Sequence, residues 1–228
     1  MSEAALRAAV CAVGRSLFER GYAHATAGNI SVRLPADAGF LITPTDACLG
    51  LLEPAALAHV DLQGRQLDGA PASKTLALHR RIYAADADAH CVLHTHATEL
   101  VAMTLAGVWR TDAVLPPLTP YFVMKVGRVP LMVYHRPGDP ALVELVAQAI
   151  AQGQAAGAPL RAVLCERLGP IVWQRTPREA MAVLEEFEET ARLWRLTGGR
   201  PTPLTEAQIE ELRQTFGARW PTPEDPPS

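Results

Sequence analysis

The sequence predicts an α/β domain whose sheet is not purely parallel, and three observations lead there. Short apolar runs of strand length alternate with longer stretches of helical periodicity. Several of these runs are joined by turns too short to hold a crossover helix, so the strands they join must run antiparallel. One run, Cys91-Val92-Leu93, is continuously apolar, as a strand covered on both faces would be.

Taken in order, residues 2–20 place Leu6, Val10, Val13, Leu17 and Phe18 at helical spacing behind a Ser2 cap, and Gly21 stops that helix. Strand-like runs follow at Asn29–Leu34 and Phe40–Thr43, separated by a turn at Pro35-Ala36-Asp37-Ala38-Gly39. Val60-Asp61-Leu62, Gln63-Gly64 and Gln66-Leu67 read as a hairpin. Ser73 to Ala85 reads as a helix with Leu76, Leu78, His79, Ile82 and Tyr83 mostly on one side. The run ending in His94-Thr95-His96 comes next, and Thr98–Leu105 returns to helix. Leu131–Tyr134 is strand-like and ends at the turn Arg136-Pro137-Gly138-Asp139, which opens a helix over 140–152. Arg161–Leu164 and Pro170–Trp173 form a strand pair around Gly169. Helices over about 177–197, with Met181, Leu184, Phe187 and Leu193 inward, and about 205–216, capped by Thr205, close the domain. The expectation is one domain over residues 1–216 and a disordered Pro- and Glu-rich tail over 217–228.

The 228 residues are 49% hydrophobic and 20% charged, with a formal net charge of −3. That balance gives no general attraction for nucleic acid or an anionic membrane surface. Cys11, Cys48, Cys91 and Cys165 are scattered without a CxxC pair, which points to a reducing compartment. The Met-Ser-Glu-Ala-Ala-Leu-Arg start lacks the pattern of a secretory signal, and no apolar stretch approaches the ~20 residues of a membrane span. A cytoplasmic location is expected.

His94 and His96 are the most informative pair. On a strand, residues i and i+2 share a face, so the two imidazoles project together and can ligate one metal ion. Ahead of them lie three loop-like segments dense in small polar groups: Ala27-Gly28-Asn29, Thr43-Pro44-Thr45-Asp46 and Pro71-Ala72-Ser73-Lys74-Thr75. Gly permits close backbone approach, amides and hydroxyls donate hydrogen bonds, and Lys supplies a point charge. Together they suit a phosphate at a helix start.

The segments GNISVR, LITPTD, PASKTLALH, the His-Thr-His strand and TPYFVMKVG occur in an order and spacing that resembles the class II aldolase/adducin family. LTPYFVMKVGRVPLMVYHRPGD and LEEFEETARLW look most like its 3-oxo-tetronate 4-phosphate decarboxylase branch, with L-fuculose-phosphate aldolase a further relative. The resemblance covers roughly residues 5–200. It implies a three-layer α/β/α fold around a largely antiparallel or mixed sheet, and a homotetramer with the site near a subunit boundary. It implies a divalent metal, Zn2+ foremost, on His94 and His96, and substrate phosphate on Gly28, Asn29, Thr45 and Ser73, with Lys74 beside them. Tyr121 matches a tyrosine that approaches the site, and Lys74 and Tyr121 are the candidate catalytic proton donors.

Two positions depart from the family pattern. Its acid–base Glu, four residues before His79, is Thr75 here, and its third histidine ligand is Leu168. Glu166, two residues before Leu168 on a strand and hence on the same face, is the expected substitute ligand, since a His₂Glu set is a recognised catalytic zinc site; His135 is a spare donor. The implied activity is metal-dependent lysis of a phosphorylated sugar acid, most directly decarboxylation of a 3-oxo-tetronate 4-phosphate through a metal-stabilised enediolate. Aldol cleavage of a ketose phosphate is the alternative enzymatic reading. The other alternative is a catalytically degenerate binding or regulatory member of the family.

Overall fold

A computed structural model of the chain describes residues 1–221. Eight strands form one sheet: β1 (Asn29–Arg33), β2 (Phe40–Ile42), β3 (Ala58–Val60), β4 (Gln66–Asp68), β5 (Cys91–His94), β6 (Leu131–Met132), β7 (Ala162–Cys165) and β8 (Gly169–Gln174). Their order is β4-β3-β2-β1-β5-β8-β7-β6. Every pairing is antiparallel except β6 with β7. The sheet is therefore mixed but largely antiparallel, as expected.

The six α-helices are α1 (Glu3–Glu19), α2 (Leu76–Ala85), α3 (Thr98–Ala106), α4 (Pro140–Ala155), α5 (Pro177–Leu196) and α6 (Glu206–Phe216). Two apolar layers flank the sheet because strand side chains alternate between its faces. Ile30, Val32, Cys91 and Leu93 point into a core shared with α1, α3 and α5. Phe40, Val92, Ile171 and Trp173 point the other way, onto Ile82 of α2 and Val146 of α4. This is a three-layer α/β/α domain.

The helix caps follow the sequence closely. Ser2 accepts from the Ala5 backbone N–H, Asp139 from Ala141, and Thr176 from Glu179. Thr205 and Gln208 form a reciprocal capping box. Three expectations need correction. The second helix begins at Leu76 rather than Ser73, with Thr75 in the cap position, so Ser73 and Lys74 precede it. Leu193 and Phe18 are exposed. On α5 the inward stripe drifts to Glu188, Thr190 and Ala191, as 3.6-residue periodicity demands over 20 residues; on α1, Phe18 lies against Gly50. Finally, the expected disordered tail does not begin at 217. Gly217 closes α6 in the left-handed region, Ala218 is buried, and the Trp220 ring packs 5.9 Å from that of Phe122. Residues 222–228 lie outside the described residues.

Candidate active site

The site is built where β1 enters the sheet beside the end of β5. Asn29 and His94 stand directly opposite each other in that antiparallel register, so their side chains share the α2 face of the sheet. Two glycines hold the backbone around the pair. Gly28 has φ +95°, and a Cβ there would stand 2.8 Å from the His94 carbonyl oxygen. Gly169 has φ +103°, and a Cβ on it would collide with the Thr95 carbonyl oxygen. Only glycine satisfies both the backbone angle and the close approach. The His94-Thr95-His96 backbone is thus gripped from two sides.

Hydrogen bonds bring the three polar loops together. Thr43 N–H donates to the Ile30 carbonyl (2.9 Å), and the Ile30 N–H donates back to Thr43 Oγ1 (3.1 Å). Ser73 N–H donates to the Thr43 carbonyl (3.2 Å), and Thr45 N–H to the Pro71 carbonyl (2.8 Å). These bonds lay the segments holding Asn29, Thr45 and Ser73 side by side. Lys74 lies beside Asp46 (Nζ–Oδ2 3.8 Å), both side chains more than three-quarters exposed. An exposed pair at that distance contributes little to stability, so the ammonium is available as a point charge. Thr75, at the position of the missing carboxylate, shares a 3.0 Å hydroxyl contact with Ser73.

Behind Asn29 lies a buried polar chain that sequence reasoning missed. Tyr83 Oη and Ser31 Oγ are 2.7 Å apart, Ser31 Oγ and His79 Nδ1 2.7 Å, and His79 Nε2 and Asn29 Oδ1 2.6 Å. One proton arrangement leaves no hydroxyl hydrogen stranded. Tyr83 donates to Ser31, Ser31 donates to His79 Nδ1, and His79 Nε2–H donates to the Asn29 carbonyl. Burial pushes His79 down to about 3, with His94 nearby adding to the effect, so its ring is neutral as this arrangement requires. The Asn29 oxygen is thereby committed, and its NH₂ group is left without a partner among the described residues. The signal was present in the sequence as polar Asn29 and Ser31 alternating along an apolar strand, opposite His79 and Tyr83 one helical turn apart.

His94 and His96 lie side by side. Their ring centroids are 5.1 Å apart. His94 Nδ1–H donates to the Pro170 carbonyl at 2.9 Å, which fixes the tautomer and leaves Nε2 with a free lone pair. Burial, with His96 adding to it, lowers His94 to about 4, and burial lowers His96 too. Both rings are neutral donors near pH 7, which is the form a metal ion needs. The pair fits a divalent ion as two of its ligands. His96 leads straight into α3, whose first turn is clamped by the buried Glu188 carboxylate. Its two oxygens accept from the Glu99 and Leu100 backbone N–H groups (2.8 and 3.0 Å).

Glu166 is a correction. β7 ends at Cys165 and β8 starts at Gly169, so Glu166 and Leu168 occupy a tight turn with Arg167 at φ +64° rather than one strand face. Glu166 directly follows β7 and turns toward β6 at the sheet edge. Its N–H donates to the Met132 carbonyl, and its Oε2 accepts from the Tyr134 N–H at 2.9 Å. Only β8 lies between β7 and β5, and the Glu166 carboxylate is directed to the Tyr134 N–H on the β6 side. His135 is half-buried, and its Nδ1 is bonded to the Val133 carbonyl. Among the described residues no three His, Cys, Asp or Glu side chains already converge as a metal-binding group. Tyr121 also stands apart. Its ring is 61% exposed at the head of the π-helical turn Phe122–Val126 and makes no hydrogen bond or ring contact with the histidines or the three polar loops among the described residues.

The family model for the class II aldolase and adducin N-terminal domain matches residues 8–195. The chain belongs to the class II aldolase/adducin family. It is 53% identical over 224 residues to a 3-oxo-tetronate 4-phosphate decarboxylase of Cupriavidus necator, covering 96% of this chain and 99% of that protein. It is 38% identical to the enzyme of that name from Escherichia coli K12, covering 92% and 96%. Among solved structures, YgbL from Klebsiella pneumoniae superposes with a TM-score of 0.83 at 40% identity, covering 93% of this chain and all of the other. An L-fuculose 1-phosphate aldolase, at 20% identity and TM-score 0.75, shares the fold. Decarboxylases and class II aldolases are lyases, and the family is generally dependent on a divalent metal.

Proposed function

We propose that this protein is a divalent-metal-dependent decarboxylase of a 3-oxo-tetronate 4-phosphate. The observation that carries the reading is the pairing of Asn29 with His94. It sets an amide whose NH₂ is free beside a neutral, oriented imidazole pair, an arrangement that supports a short substrate with an anion at one end and the reacting carbonyl at the other. The near-full-length likeness to proteins of that name supports the substrate class.

In this reading the Asn29 NH₂, the Ser73 and Thr45 hydroxyls and the Lys74 ammonium hold the phosphate. His94 Nε2 and His96 hold the ion, Zn2+ by the preference of imidazole donors. When bound, a divalent ion supplies Lewis-acid stabilisation of developing negative charge. A 3-oxo acid loses CO2 by breaking the C1–C2 bond, and the electron pair moves into the C3 carbonyl. No base need remove a proton from carbon, so the absence of a carboxylate at Thr75 is tolerated. Aldol cleavage deprotonates a hydroxyl to break its bond and is impaired by the same absence. The resulting enediolate takes one proton to give dihydroxyacetone phosphate. Lys74 of the same chain, or Tyr121 reaching the site across a subunit boundary in a homotetramer, would supply it.

No helix among the described residues is long and apolar enough to cross a membrane; a cytoplasmic enzyme with no nucleic-acid partner completes the proposal. The test is incubation of the metal-loaded protein with 3-oxo-tetronate 4-phosphate, following both products. One CO2 and one dihydroxyacetone phosphate per substrate supports the reading. Binding without turnover points to the degenerate binding protein, and cleavage of a ketose phosphate instead points to the aldolase.

A further inference from the structure

Leu168 leaves the metal one imidazole short of the family pattern, and Glu166 does not make up the difference. The tertiary structure brings a different histidine to the same place. His24 lies in the loop between α1 and β1, the loop that continues into Gly28 and Asn29. Its ring stands edge-on to that of His96, with centroids 6.4 Å apart and planes at 75°. The residue is exposed, and its ring makes no hydrogen bond or ion pair among the described residues. Three imidazoles, His94, His96 and His24, therefore stand in a row with no carboxylate paired to any of them. Protonated, such a row would repel itself; neutral, it is a set of nitrogen donors.

We propose that His24 is the third metal ligand of this protein, giving a His₃ set with one position open for substrate. His₃ plus an open position is an established arrangement for catalytic zinc. Rings sharing a tetrahedral ion at about 2.0–2.1 Å per Zn–N bond have centroids roughly 5–6 Å apart. The His94–His96 pair already meets this condition. His24 is slightly too far and becomes a ligand by swinging inward about its own side-chain torsions, which its exposure and lack of partners allow. His24 rests on the metal reading above, yet it enters from a different loop from the β7–β8 turn that holds Leu168.

The test uses Co2+ as a spectroscopic stand-in, titrated into the chelator-treated full-length protein and monitored by visible absorption and calorimetry. The same titrations are made on His24→Ala and His94→Ala, with circular dichroism to establish that each variant is folded. Wild-type protein is expected to bind one ion per chain with the intense absorption of a four-coordinate site. His24→Ala should weaken binding by at least the ~10–100-fold that even outer-shell losses cost, and the absorption should collapse. Zn2+ addition should also shift the ¹⁵N resonances of the His24 ring. If His24→Ala matches wild type in affinity and spectrum while His94→Ala binds nothing, His24 is not a ligand and the two-histidine metal reading survives. If wild-type protein binds no ion, both readings fall together.

Discussion

His79 Nε2 lies 2.6 Å from Asn29 Oδ1, and that contact commits the amide's oxygen and leaves its NH₂ end free. Because His79 is fully buried and neutral, and receives the Ser31 hydroxyl on its other nitrogen, it can only donate to Asn29. Exchanging Asn29 for Asp puts a second oxygen where the NH₂ had been. Affinity for inorganic phosphate should fall by on the order of 100-fold, since a donor becomes a like charge. Tyr83→Phe tests the far end of the chain. It should raise the KM more than it lowers kcat, because it loosens a phosphate-binding group. Isothermal titration and steady-state kinetics check both; an unchanged KM in Tyr83→Phe would show that the chain is only structural.

The same histidine makes the fold sensitive to acid. His79 titrates at 6.5 when free and at about 3 in the folded protein. Between those values the unfolded chain binds the proton and the native state does not, so stability rises with pH across that window. Below pH 6.5 this group should cost up to about 1.4 kcal/mol per pH unit. Urea midpoints at pH 7, 6 and 5 should fall more steeply for wild type than for His79→Gln, which carries no titrating group. Parallel curves would overturn this assignment.

Gly28→Ala is expected to damage fold and site at once. At φ +95°, with the His94 carbonyl oxygen 2.8 Å from the new Cβ, the backbone must move. The strain is of order 1–3 kcal/mol. Co2+ affinity and phosphate affinity should both decline, because Gly28 separates the Asn29 loop from the histidine segment. Thermal denaturation and the two titrations measure the three effects.

Removing the Glu188 clamp should be costly for a single buried carboxylate. Glu188→Ala leaves the Glu99 and Leu100 N–H groups of the α3 start without their acceptor, which costs about 2–3 kcal/mol. Glu188→Gln keeps one acceptor oxygen and should lose less. Urea unfolding ranks the two.

Glu166→Gln should leave metal content and turnover unchanged, because the carboxylate is spent on the Tyr134 N–H at the sheet edge. Elemental analysis and kinetics of the purified variant are the measurement. Loss of the ion would return Glu166 to the site.

Local periodicity was enough to read most elements, since period-2 and period-3.6 patterns and cap residues are written within a few residues of one another. The His94–His96 pair and the polar loops were legible for the same reason: each is a short contiguous segment whose spacing carries its geometry. Their convergence on Asn29 required the β1–β5 register, which no local pattern encodes. Glu166 was misread because strand logic was carried two residues past Cys165 into a turn. That turn becomes visible only once β7 and β8 are paired and Arg167 takes a left-handed angle. His24 and the Tyr83–Ser31–His79 chain depend on residues about 50 to 70 positions apart in sequence, such as Asn29 with His79 and His24 with His96. Proximity of that kind is created when the sheet closes and the helices dock, so the chemistry-bearing residue types were set by the sequence and their grouping by tertiary packing.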